Sequence, residues 1–194
     1  MLKDMIQTSL LLVTVAALSA LILAVTEAKT APRIKANLLQ KELELQKKVF
    51  PAADFFQKQD IKLPDPAASI SAAYTNQKLS GAVLRVSARG YSSDLVMLVG
   101  IDLNGKIKGA EIISSSETPG LGDNINSEQF SLQFCELLNT NPEPNFKIKK
   151  DDGDVDAVTA ATVTSRAFCS GIQKASSLFV IAKSKLSQTP LASD

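Results

Sequence analysis

Apolar and polar positions fall into two regimes along this chain. From 5 to 26 the stretch MIQTSLLLVTVAALSALILAVT contains no charged residue. An unbroken apolar run of ~20 residues is what a helix needs to cross a bilayer. In front of it stand only Lys3 and the offsetting Asp4. A cleaved signal peptide has a basic leader and a shorter apolar core, so the pattern predicts a retained anchor over residues 1–28. A membrane-proximal helical segment over 29–62 comes next. Ile34, Leu38, Leu39, Leu43, Val49 and Phe50 form its irregular stripe, Pro51 ends it, and a second short helix is expected over 53–59. The Pro-, Ser- and Ala-rich stretch 63–81 reads as connection with one short strand at most.

Alternation then takes over. Residues 83–88 and 94–103 read as strands joined by a turn at 89–93. Asn104 followed by Gly105 is the strongest hairpin signal in the chain, and 106–113 returns as the antiparallel partner. Ser127 caps a helix over 127–139, with Phe130, Phe134, Leu137 and Leu138 along one face. NPEPN breaks that helix, 146–150 reads as a short strand, and 151–156 as a turn. A last helix starts near Thr164 and carries Phe168, Ile172, Ala175 and Phe179 on one face to about Lys183, before a frayed tail over 186–194. The fold class is α+β: one transmembrane helix, then a domain over 63–185 with an antiparallel sheet flanked by helices.

Composition removes several kinds of chemistry. The net charge is +1 and there is no clustered basic run, which argues against nucleic acid as a partner. Histidine is absent, so histidine general bases, Ser-His-Asp triads and histidine metal ligands are excluded. Cys135 and Cys169 are too few to hold an iron–sulfur cluster unaided. They are open to two readings, a disulfide or two buried thiols. The acidic residues Asp151, Asp152, Asp154 and Asp156 lack the full calcium loop and its closing glutamate, and read as a solvated turn. No Gly-x-Gly-x-x-Gly follows a strand, so dinucleotide binding is not indicated.

Two stretches carry candidate chemistry. In 116–123, SETPGLGD, Glu117 and Thr118 precede Pro119, and Gly120 and Gly122 flank Leu121. Such a loop is stiff and lets backbone approach a flat ligand, or is simply a tight loop. In 156–165, DAVTAATVTS, four hydroxyls (Thr159, Thr162, Thr164, Ser165) sit among Ala160 and Ala161 at a helix start. One hydroxyl caps a helix; the others suit an anion at its amide end. No base stands ready to activate a threonine, so any covalent group on a hydroxyl is placed there by another enzyme.

The pattern from Asp156 through Thr162 to Ser165 resembles the flavinylation motif of the FMN-binding domain family found in ion-pumping respiratory complexes, with Ala160 where that family usually has glycine. The 116–122 loop resembles the same family's Glu-Thr-Pro-Gly-Leu-Gly, with Ser115 in place of a frequent histidine. Gly90-Tyr91-Ser92-Ser93 resembles its Gly-Tyr-x-Gly, without the second glycine. In length and layout the branch formed by the G component of the Rnf electron-transport complexes fits best. The C component of the sodium-translocating NADH:quinone reductase comes second.

The resemblance implies FMN joined through its phosphate to Thr162 Oγ by a separate flavin transferase, with Asp156 either part of the sequence that transferase recognises or helping to orient a metal-assisted transfer. It implies Thr159, Thr164 and Ser165 around the phosphate or capping the helix, Ala160 and Ala161 leaving room for it, and the loop from Glu117 and Thr118 to Gly120, Leu121 and Gly122 against the flavin ring, with Leu121 as apolar contact. The function implied is electron relay within a membrane complex of further integral and peripheral subunits that couples ferredoxin oxidation and NAD⁺ reduction to ion movement. Reversible FMN binding and a scaffold role are the alternatives. The resemblance also places the domain outside the bacterial inner membrane, whereas Lys29, Arg33, Lys35 and Lys41 after the apolar run, against Lys3 before it, favour the cytoplasm.

Overall fold

The computed structural model describes residues 2–117, 124, 125, 127–141 and 143–186. Compact packing divides the chain into Met1–Leu43 and Glu44–Asp194. From Leu2 on, the first unit belongs to α1, Leu2–Val49, which continues through Pro32. Leu10, Leu12, Leu18, Leu21, Ile22 and Leu23 on it are 60–72% exposed. A helix this apolar and this uncovered is suited to lipid rather than to a protein core. It is long and apolar enough to cross a membrane, which fits a single-pass membrane protein.

In the second unit five antiparallel strands form a meander in the order β1-β2-β3-β4-β5. They are β1 Phe55–Gln59, β2 Ser69–Thr75, β3 Lys78–Arg89, β4 Asp94–Asp102 and β5 Ile107–Ser114. The Asn104, Gly105 turn joins β4 to β5 as expected. Gly105 takes φ +85°, and Asp102 Oδ1 accepts from the amides of Asn104 and Lys106 at 2.9 Å each.

Two sequence expectations fail on the near side of the sheet. Residues 55–59 form strand β1 instead of a second short helix, because Phe55 pairs with Tyr74 and stacks on it at 5.0 Å. Two adjacent aromatics facing an open strand edge outweigh a weak local helix preference. The 63–81 stretch holds all of β2 and the start of β3, joined by Asn76 and Gln77 at φ 50° and 61°. That is the two-residue, positive-φ hairpin, made here without the glycine that usually announces it. Further on, 146–150 gives no strand of its own. A 3-10 turn, Lys149–Asp151, takes its end, and the extended chain makes one parallel bridge, Ile148 to Val155.

Helices α2, Glu128–Thr140, and α3, Thr162–Leu186, complete the unit. Ser127 caps α2 by accepting from the Phe130 amide at 3.4 Å. One sheet face carries Leu84, Val86, Met97, Val99 and Ile101 into a core with Phe168, Ile172 and Phe179 of α3, all at most 2% exposed. Phe130 meets Phe168 edge-on at 5.0 Å, fixing α2 to α3. The opposite face receives the last turn of α1. Val49 and Phe50 pack there with Ala73, Val83 and Leu98. They reach the backbone because Gly81, Gly100 and Gly109 leave a notch. A β-carbon on Gly100 would fall onto the Val49 carbonyl oxygen, and one on Gly109 would lie 2.9 Å from Val49 Cα.

Lys174 on α3 ties three elements together. Its Nζ donates to the Ser87 carbonyl of β3 at 2.9 Å and pairs with Asp65 in the β1–β2 connection. The Lys174 hydrogen bond holds the Asp65 carboxyl below the usual range. A depressed carboxylate pKa contributes stability that is present above the unfolded value, near pH 4, and lost as pH falls through the folded one. Lys174→Met is therefore expected to destabilise by about 1–2 kcal/mol at neutral pH. The gap to wild type should narrow below about pH 4 to the part owed to Ser87. Urea unfolding at a series of pH values measures it, and a gap that widens with acid would contradict the assignment.

Candidate cofactor site

The segment from Asp156 to Ser165 folds as a turn feeding directly into α3. The Ala161 amide donates to the Val158 carbonyl at 2.9 Å, closing a β-turn over 158–161. Its third residue, Ala160, has φ +62°. That position of a type II turn calls for positive φ and is normally glycine. The turn therefore explains the glycine usual in the motif, and this chain makes it with alanine at a cost. Ala160→Gly is expected to raise stability by roughly 0–1 kcal/mol, the relief of left-handed strain less the entropy of a freer unfolded chain. Thermal unfolding measures it, and a clear loss of stability would argue against the turn.

The helix begins at Thr162, two residues before the sequence places it, because the turn delivers Ala161 already oriented to accept from Ser165. The Ser165 amide donates to the Ala161 carbonyl at 2.9 Å. The Ser165 hydroxyl does more than cap. Its Oγ accepts from the Val158 amide at 3.0 Å and donates to the Ala161 carbonyl at 3.0 Å. At 0% exposure it is spent on holding the turn. Thr164 is also buried, at 1% exposure. Thr159 and Ala160 are exposed, Ala161 is buried and Thr162 is half-buried. Of the four hydroxyls, Thr159 and Thr162 are the ones an outside group can reach. In any α-helix the first amides lack intrahelical acceptors, and here the first helical bond is the one Ser165 makes, so the amides of Thr162, Val163 and Thr164 face the helix mouth.

Around the turn Asp151 and Asp154 are tied into the fold by their side chains, while Asp152 and Asp156 stay exposed. Asp151 makes a two-point pair with Arg166 of α3, Nε to Oδ2 at 2.7 Å and Nη2 to Oδ1 at 2.9 Å. The Arg166 guanidinium lowers the Asp151 pKa, and the carboxylate raises that of Arg166. Asp152 adopts φ 58° at the end of the 3-10 turn. Asp154 Oδ2 accepts from Asn141 Nδ2 at 3.0 Å and from the Asn145 amide at 2.8 Å. Asp156 Oδ2 pairs with Lys149 Nζ at 2.7 Å.

Gln133 of α2, which sequence reasoning missed, grips Asp156 by its backbone. Its Oε1 accepts from the Asp156 amide at 2.6 Å, and its Nε2 donates to the Asp156 carbonyl at 3.3 Å. The available signal was a glutamine three residues after Phe130 and four before Leu137, inside the apolar stripe of α2. Between α2 and the motif lies a cleft of about 620 Å³ lined by Asn124, Ser127, Phe130, Gln133, Asp156, Ala157, Val158 and Thr159. That volume is in the range of cofactor-sized pockets.

Glu117 is 6% exposed and turns towards the 90–93 turn. Oε1 accepts from the Tyr91 amide at 2.9 Å, and Oε2 from the Ser92 amide at 3.3 Å and the Ser92 hydroxyl at 3.1 Å. Gly90 suits that place, since a β-carbon would lie 2.7 Å from the Ser93 carbonyl oxygen and displace Glu117 Oε1. The structure thus joins two motifs that lie 26 residues apart in sequence. Thr118, Gly120, Leu121 and Gly122 fall outside the described residues, as does the Cys135 side chain. Cys169 is a free thiol, not a disulfide partner; burial pushes its pKa up to about 12, which leaves it unreactive at neutral pH.

Comparison with known proteins covers both units. An RnfG N-terminal region matches residues 1–49 and an FMN-binding domain matches residues 90–177. Relatives described as the G component of an ion-translocating oxidoreductase complex include one from Aliivibrio fischeri, 27% identical over 98% of each chain. Those from Escherichia coli and Shewanella amazonensis are 34% and 31% identical, over 61% and 57% of this chain and 59% and 53% of theirs. This chain thus spans nearly all of one relative and little more than half of the other two. A solved structure of NqrC from Shewanella oneidensis aligns at 18% identity and a TM-score of 0.48, over 72% of this chain and 74% of that one. With an RnfG N-terminal region ahead of an FMN-binding domain, and similarity that runs the length of the chain, this protein resembles the RnfG proteins, the G component of the ion-translocating oxidoreductase complexes.

Proposed function

We propose that the chain is an electron-relay subunit of an Rnf-type ion-translocating oxidoreductase and carries FMN as a phosphoester on Thr162 Oγ. The observation that carries the reading is the placement of Thr162. It is the half-buried first residue of a 25-residue helix, directly after the 158–161 turn, whose Val158 and Thr159 line a cofactor-sized cleft. A phosphate there meets free helix amides and the positive end of the helix dipole. In this reading the exposed Thr159 and Ala160 and the first-turn amides flank the phosphate, the buried Ala161 and Thr164 give it a fixed base, and Ser165 holds the turn. The cleft between α2 and the motif suits a flat ring system. FMN, once bound, supplies one- and two-electron redox chemistry that no side chain of this protein offers. The match of an RnfG N-terminal region to residues 1–49 favours this reading over the C component of the sodium-translocating NADH:quinone reductase.

Attachment needs a flavin whose phosphate is activated as a pyrophosphate, that is, a flavin dinucleotide. Thr162 Oγ supplies the electron pair, the pyrophosphate bond breaks, and the nucleoside monophosphate leaves. The hydroxyl proton passes to a base on a separate flavin transferase, since this chain has no histidine. Asp156, exposed and paired with Lys149, is part of the surface that transferase reads. The remaining subunits, integral and peripheral, hold the clusters and the NAD⁺ and ferredoxin sites. The apolar helix anchors the protein in the bacterial inner membrane with its domain on the outer, periplasmic side.

The test is electron flow from reduced ferredoxin to NAD⁺ through a native complex holding either the wild-type or the Thr162→Ala protein, assembled to equal levels. Loss of coupled flow in the variant supports the reading. Wild-type flow through a fully assembled Thr162→Ala complex would overturn it.

A further inference from the structure

We propose that Gln133 is a positioning residue for flavin attachment, an inference that rests on the reading just given. Ala157 and Val158 of the 156–161 segment rest against the core, and among the described residues two side chains pin its backbone from either end. Its far end is pinned by Ser165 through Val158. Its near end is held by Gln133, which donates to and accepts from the backbone of Asp156, as an antiparallel strand partner would. Lys149 adds an exposed ion pair to the same residue, and exposed pairs contribute little. Between the two pins Thr159 and Ala160 stand exposed, with Ala160 in a backbone conformation alanine disfavours. Such a turn is one conformer among several unless both ends are fixed.

Gln133 can fix its end because its helix is itself anchored. Phe130, one turn earlier and 4% exposed, meets Phe168 of α3. α3 is also the helix that begins with Thr162. The amide of Gln133 therefore sets the register between the acceptor hydroxyl's helix and the Asp156 end of the recognised segment. A glutamine serves this better than a charged residue, since it offers a donor and an acceptor to a residue whose backbone presents one of each. It also lines the cleft, so its loss widens the cleft's α2 wall.

Freeing the Asp156 end lowers the fraction of chains in the conformation the transferase accepts, and apparent affinity falls by that fraction. Gln133→Ala is thus expected to raise the KM of the full-length chain, as acceptor from flavin dinucleotide and purified transferase, by about tenfold or more. Its kcat should stay within about twofold, because at saturating chain the transferase is filled with the accepted conformer. Gln133→Met keeps length and packing, removes both hydrogen bonds, and should behave like alanine. Gln133→Glu keeps an acceptor for the Asp156 amide but sets charge against its carbonyl, and should fall between.

Amide exchange on the same detergent-solubilised proteins reads the geometry without any transferase. Exchange across 154–161 should accelerate in Gln133→Met while 167–182 in α3 stays protected. Wild-type KM, or unchanged exchange over 154–161, in a folded variant would overturn the proposal. So would loss of α3 protection in both the Ala and Met variants, which would make Gln133 a fold residue only. An unmodified wild-type chain would instead sink the covalent reading, a result distinct from all of these.

Discussion

Thr162→Ala is expected to remove all covalently held flavin from the protein while leaving its stability nearly unchanged. The loss is complete because the ester needs the hydroxyl oxygen, and alanine has none. The fold is spared because Thr162 is half-buried and opens the helix, where alanine is the better helix former by roughly 0.5 kcal/mol. Neighbouring hydroxyls make the control. Thr159→Ala, at an exposed position, should leave attachment at Thr162 intact. Ser165→Ala strips the Val158 amide of its acceptor and should cost about 1–3 kcal/mol, with attachment failing through the turn. Intact mass and thermal unfolding of the three variants separate the outcomes. A flavin adduct persisting on Thr162→Ala would place the ester elsewhere.

Gly100→Val is expected to be the most damaging single change for the fold, at about 3 kcal/mol or more. Gly100 sits mid-strand between Val83 and Gly109 in the pairing. A side chain there meets the Val49 carbonyl, and backbone cannot step aside as a flexible side chain can. Val49 and Phe50 are 0% and 2% exposed, so expelling them uncovers Ala73, Val83 and Leu98 with them. The visible result is a lower urea midpoint and protease cleavage near residue 50. Gly105→Ala, with open space around its β-carbon but φ +85°, should cost only the strain of the turn, about 1 kcal/mol. A Gly100→Val protein as stable as wild type would mean that the last turn of α1 is not seated in the notch.

How much of this was legible in sequence depended on whether the signal was local. The Asn104, Gly105 hairpin, the Ser127 cap, the α3 face and the Phe130, Leu137 and Leu138 positions of α2 rest on residues within a few positions of one another, and the pattern placed them; the Phe134 side chain lies outside the described residues. The β2–β3 hairpin escaped because its two positive-φ residues are Asn76 and Gln77, and only the first is a usual choice. Strand β1 escaped because its evidence is a partner, Tyr74, far along the chain from Phe55.

At the site, the motif residues were legible as a set but their division of labour was not. Four hydroxyls look alike in a string. Burial separates Ser165 and Thr164 from Thr159 and Thr162, and burial depends on the sheet beneath. Gln133 and the Gly81, Gly100 and Gly109 notch become meaningful only when distant segments are brought against them.

The central claim is the ester on Thr162, and peptide mapping with mass measurement across residues 151–172 of wild-type protein, purified from membranes of its native host, tests it most directly. The expected peptide is heavier by one FMN less one water, with fragment ions assigning the increment to Thr162. An unmodified peptide, from cells shown to contain an active flavin transferase, would contradict it.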